Sequence, residues 1–245
     1  MKRRAFLRRS ATAVAGVLGS PYVLRAHRAD ADLILRGGVV IDGSGRPRFR
    51  ADLAITGDRV TRIASRITEL AKREIDVRDH VVSPGFVDLH SHGDGSLFDD
   101  PMMESIVRQG VTSIVVGADG SSRTPTREVL ARIDRLPPGA NVGTMVGLGT
   151  VRGAVVGEDD RPATPAELTR MTALVESALA EGALGASSGL EYTPGAFASL
   201  DELIALCRPL AARGLGYHTH MRNEDDQLLE AVAESIAVEI GRAHV

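Results

Sequence analysis

At 245 residues, 43% apolar and 25% charged, the chain has ordinary globular composition, with length for one large domain or a domain and a half. A net charge of −3, no Trp and few Tyr or Phe argue against a nucleic-acid or membrane-surface partner. The single cysteine, Cys207, excludes an intrachain disulfide, and its helical-looking run LIALCRPL marks it as a small core residue.

Residues 1–31 read as an export address. The segment MKRRAFLRRSATAVAGVLGSPYVLRA places Arg3 and Arg4 before Phe6, Leu7 and Arg8, an order that resembles a twin-arginine signal. The apolar stretch from Ala11 to Leu24 is too short, and too rich in Gly and Ala, to span a bilayer. Cleavage is expected after Ala26, Ala29 or Ala31. The expected partner is the twin-arginine export machinery, the expected location periplasmic or secreted, and no membrane association should remain after cleavage.

Residues 32–80 form the next region. Leu33–Ile41, Asp52–Ile55 and Val60–Ile63 read as short β segments, separated by the Gly43–Pro47 turn and by Gly57-Asp58. They suggest a piece of a small antiparallel β-sandwich. Residues 81–239 change to strand–helix alternation. HVVSPGFVDLHSH reads as a doubly buried strand, followed by further strands in VTSIVVG, NVGTMVGLG, LGASSG and GLGYHTH. Helices fall between them in MMESIVRQG, in TREVLARIDRL, after the Thr164–Glu167 capping box and after Ser199. Leu168, Met171, Leu174, Val175, Ala178 and Leu179 share one helix face. Five parallel βα units in succession are how an eightfold barrel begins, with its chemistry at the C-terminal ends of the strands.

Side chains at i and i+2 of a strand point the same way. His90 and His92 therefore project together from the end of the first of these strands, as do His218 and His220 from the fifth, while Asp119 ends the second. Imidazoles and a carboxylate gathered at one rim make a cage for Zn²⁺ or a similar ion.

The blocks SPGFVDLHSHGD, GVTSIVVGADGSS, GALGASSGLEYTPGAF and GYHTHMRNE, in that order from about Asp32 to Val238, resemble the amidohydrolase superfamily and within it the N-acyl-D-amino-acid deacylases. The resemblance implies an α/β fold: an N-terminal β-sandwich portion and the first five βα units of a metal-dependent (β/α)8 TIM-like barrel. It implies His90, His92 and His220 as ligands of one or two Zn²⁺ ions. Asp119 stands where the family carries a bridging cysteine, so a carboxylate bridge is expected. Only Lys2 and Lys72 are lysines, which excludes a carboxylated-lysine bridge in the barrel segment. His218 is not a family ligand position and reads as a rim residue.

The implied reaction is metal-assisted hydrolysis of the amide of an N-acyl-D-amino acid, a small-molecule substrate, giving a carboxylate and a free D-amino acid. Arg222 is placed to fork the substrate carboxylate or, alternatively, to form a rim salt bridge with Glu224 or Asp225. Tyr192 is expected to line the acyl or side-chain pocket, and Glu191 departs from the apolar residue expected beside it. Alternatives are a related amidohydrolase acting on D-amino-acid dipeptides or other amides, or an inactive metal-binding fragment. The family's general-base aspartate and a further metal histidine follow strands eight and six, neither of which this sequence reaches. Ile240–Val245 reads as a non-native tail, so the sequence is expected to be truncated and His244 to have no function. Residues 32–245 alone are expected to be insoluble or molten and inactive.

Overall fold

The first unit is organised around its longest strand, which buries Ala31, Ile34, Gly38 and Val40. In the computed structural model, which describes residues 30–243, this unit ends at Pro84 and a second begins at Gly85. The twin-arginine segment up to residue 29, together with His244 and Val245, lies outside the described residues.

Strand β1 (Ala31–Val40) pairs antiparallel with β2 (Phe49–Thr56), which pairs antiparallel with β3 (Arg59–Ala64). On its other side β1 takes β4 (Ala71–Asp76) and β5 (Val81–Val82), both parallel. The sheet is therefore mixed rather than antiparallel. The sequence reading missed β4 because AKREID carries four charged side chains and little apolar alternation. A bulge between Leu35 and Gly38 accommodates Gly37 at φ +71°. Asp52 fastens it, accepting from Gly37 N at 2.8 Å, Ile67 N at 3.0 Å and Arg36 Nη1 at 3.0 Å.

The run HVVSPGFVDLHSH is not one strand. Val81-Val82 pair with β1, whereas β6 (Phe86–Asp88) pairs with β7 (Val111–Val116). Pro84 between them has no N–H to give a ladder. In the second unit, β6, β7 and β8 (Asn141–Thr144) form one parallel sheet, and β9 (Val146–Gly147), β10 (Gly185–Gly189) and β11 (Gly216–His220) form another. Met145 joins them: its N donates to Val116 O at 2.9 Å, and Val146 already pairs with Ala186 of β10.

The connecting helices are α1 (Glu104–Val107), α2 (Thr126–Ile133), α3 (Leu148–Val155), α4 (Pro165–Ala180), α5 (Leu200–Ala211) and α6 (Leu228–Ala243). The expected capping box at Thr164 is present in full. Met171, Val175, Ala178 and Leu179 of α4 are buried against Leu203, Leu206 and Leu210 of α5, but Leu174 is 44% exposed and leaves the expected face. Helix α3 escaped the sequence reading because Gly149 and Gly153 make LGTVRGAV a poor helix former. Among the described residues, no helix is long and apolar enough to cross a membrane.

Candidate metal centre

His90 and His92 lie just beyond β6, on the bend that follows Asp88 and leads into Gly93. The His90 N–H donates to Asp88 Oδ1 at 3.1 Å, and Ser91 N donates to Val115 O of β7 at 3.1 Å. That pairing holds residues 90 and 92 on one side, with ring centroids 5.6 Å apart. Asp119 lies on the turn after β7, in the left-handed region at φ +52°. A non-glycine residue there is uncommon, and Asp is among the few side chains that tolerate it.

The turn turns Asp119 toward both histidines. His90 Nε2 is 3.2 Å from Oδ1 and His92 Nε2 is 3.0 Å from Oδ2. The second contact is a hydrogen bond and the first is not, which leaves Asp119 Oδ1 a buried acceptor without a hydrogen-bond partner. One ligand atom from each residue falls within 4.8 Å of the others. Zinc with ligands at about 2.0–2.2 Å sets tetrahedral neighbours about 3.4 Å apart. Two imidazoles and a carboxylate also match its ligand chemistry and leave coordination positions open. The residues fit such a cation, and the orphaned Oδ1 is the atom it would satisfy.

Two glycines make the turn possible. A Cβ on Gly120 would lie 2.6 Å from Gly189 N, and one on Gly189 would lie 2.3 Å from Asp119 O, so the Asp119 turn packs backbone-to-backbone on the end of β10. Ser187 of β10, fully buried, donates from Oγ to Gly117 O at 2.6 Å and accepts from Gly120 N at 3.0 Å. The sequence reading did not single out Ser187.

His220 closes β11 and is not part of the three-residue cluster. Its Nε2 lies 2.9 Å from Glu191 Oε2 and 3.4 Å from the Tyr192 hydroxyl, and its ring centroid is 4.8 Å from that of Tyr192. Tyr192 also lines a cavity of about 570 Å³ shared with His92, Asp119, Gly149, Gly153 and Glu158. Glu158 was likewise not anticipated; it sits on the loop after α3, the helix the sequence concealed. His218 lies back along its own strand, with Nε2 3.4 Å from the position a Cβ would take on Gly216.

Arg222 is latched. Nε and Nη2 grip both carboxylate oxygens of Glu234 on α6 at 2.9–3.2 Å, Nη1 donates to Ala196 O at 2.6 Å and Nη2 to Ala198 O at 2.9 Å. Neither Glu224 nor Asp225 is its partner. The guanidinium ties the loop after β10 to α6, and that tie uses the fork a substrate carboxylate would need.

No protein-family model matches the chain. A D-aminoacylase of Alcaligenes xylosoxydans xylosoxydans is 37% identical over 230 residues, 84% of this chain and 48% of the relative. A crystal structure of D-aminoacylase, described as defining a novel subset of amidohydrolases, superposes with a TM-score of 0.81 at 36% identity, over 86% of this chain and 50% of that one. The N-acyl-D-glutamate deacylase of Bordetella bronchiseptica, complexed with zinc and a phosphonate inhibitor, gives a TM-score of 0.81 at 33% identity, over 86% of this chain and 49% of that one. The chain spans about half the length of the curated relatives it matches. In sequence and in fold, it is a homologue of the D-aminoacylases and N-acyl-D-amino-acid deacylases of the amidohydrolase superfamily.

Proposed function

We propose that the whole protein hydrolyses the amide bond of N-acyl-D-amino acids, releasing a carboxylate and a free D-amino acid. The observation that carries this reading is the His90–His92–Asp119 cluster, with its unpartnered buried oxygen, opening onto a cavity large enough for a small amide. Zinc is the proposed cofactor, as one or two ions held by these residues with His220. Bound there, it would polarise the scissile carbonyl and activate water. The chain's own residues orient and enclose: Asp119 aligns the two imidazoles, Tyr192 walls the cavity, and Gly149 and Gly153 leave room for the acyl or side-chain arm. The architecture proposed is an N-terminal β-sandwich portion and, carrying the site, the first five βα units of an eightfold barrel. Its support is the parallel pairing within β6–β7–β8 and within β9–β10–β11, with apolar side chains left exposed on the outermost elements: Phe86 and Val87 on β6, Leu229 and Ile236 on α6.

Residues 1–31 are proposed to direct twin-arginine export to the periplasm or beyond. The support is the Arg3-Arg4 pair ahead of an apolar stretch. Cleavage is proposed after Ala26, Ala29 or Ala31. The test of function is release of free D-amino acid from N-acetyl-D- and N-acetyl-L-amino acids by the whole protein. Hydrolysis confined to the D series supports the proposal, and hydrolysis of neither series contradicts it.

A further inference from the structure

His90, His92 and His220 all bring Nε2 to a carboxylate, but to two different ones. His90 and His92 bring Nε2 to Asp119, where the three ligand atoms converge. His220 is not in that cluster, and its Nε2 lies 2.9 Å from Glu191 Oε2. An ionised carboxylate can only accept, so the ring nitrogen facing it must carry the proton. The neutral ring that satisfies this contact has its lone pair on Nδ1.

The contact is built into the strand register. Gly189, the last residue of β10, pairs with His220, the last of β11, and Leu190 N then donates to His220 O at 2.9 Å. Glu191 and Tyr192 come next in the chain, so both side chains are delivered to the imidazole by backbone pairing. Tyr192 stacks against it at 48° and Glu191 takes its Nε2.

We propose that Glu191 is a positioning residue that fixes His220 as the Nε2–H tautomer, so that Nδ1 is the atom His220 offers to a metal ion. Histidines that bind metals commonly donate their second ring N–H to a carboxylate, which sets both ring orientation and basicity. The proposal rests on the reading of His220 as a metal ligand.

Imidazole ¹⁵N NMR of the metal-free protein, with the His220 signal identified by its loss in His220→Ala, reads the tautomer directly. Zinc affinity by chelator competition reads the consequence. The wild type should show His220 protonated at Nε2 and bare at Nδ1. Glu191→Ala should mix the tautomers and weaken zinc binding by about 10- to 100-fold. Glu191→Gln, whose amide oxygen still accepts, should recover most of both, and Tyr192→Phe should change the tautomer little. A wild-type ring protonated at Nδ1, or Glu191→Ala with unaltered tautomer and affinity, would overturn the role of Glu191. His220→Ala with undiminished zinc affinity would instead overturn the metal reading on which the proposal stands.

Discussion

Ser187 holds both ends of the turn that presents Asp119. Its hydroxyl donates to Gly117 O and accepts from Gly120 N, at 2.6 and 3.0 Å, bracketing the left-handed residue from beneath. The position of the carboxylate is therefore decided on β10, by a side chain that is itself fully buried. Ser187→Ala would leave the Gly120 N–H without its partner in a dry site, at a cost of about 1–3 kcal/mol. The expected result is a lowered melting temperature together with weaker zinc binding; a variant that melts lower but binds zinc as before would separate Ser187 from the site.

Arg222 supports the cavity wall through Glu234 and the carbonyls of Ala196 and Ala198. Arg222→Lys keeps the charge but cannot reproduce the planar fork. It should destabilise by about 1.5–3 kcal/mol, the scale of hydrogen bonds to a charged group. Urea unfolding checks the stability. Steady-state kinetics on the whole protein decides the role: a large rise in KM with unchanged stability would restore Arg222 to the substrate.

Arg152 and Glu202 form an ion pair at 2.5 Å with side chains 1% and 3% exposed, joining α3 to α5. Arg152 also donates to Arg161 O, which fixes the loop carrying Glu158. Glu202→Leu strands a buried guanidinium and should cost about 3–5 kcal/mol, whereas replacing both partners by apolar residues should cost much less. A double-mutant cycle by chemical denaturation measures the difference.

Asp52 predicts acid sensitivity in the first unit. Burial pushes its carboxyl up, but the hydrogen bonds from Ile67 N, Arg36 and Gly37 N outweigh that and hold it below the ordinary value. A depressed folded pKa stabilises fully above the unfolded value of about 3.9 and is lost as pH falls through the folded value. Stability should therefore drop below about pH 4. Asp52→Asn should be less stable at pH 7 and flatter across that window, as read by denaturation at several pH values.

Much of this was legible in the sequence because the signals were periodic or local. The i, i+2 spacing of His90 and His92, the Thr164–Glu167 box, the apolar run VTSIVV and the small-residue run GASSG mark their elements directly. What stayed hidden depends on distance along the chain. Glu234 lies twelve residues from Arg222, beyond the neighbours that local reading offers. Ser187 looks like a small residue in a small-residue strand until Gly117 and Gly120 are folded onto it, about seventy positions earlier in the chain. The charged edge strand β4 and the glycine-bearing helix α3 contradict their own propensities, and tertiary packing decides them.

The metal content of the purified protein tests the central claim most directly. Elemental analysis of the wild type, His92→Ala and Asp119→Asn after dialysis with limiting zinc should find one or two zinc ions in the wild type. In both variants the zinc should be sharply reduced, because each loses a ligand atom of the cluster. A wild type that retains no zinc, or variants that retain as much as it does, would contradict the assignment of His90, His92 and Asp119 as a metal centre.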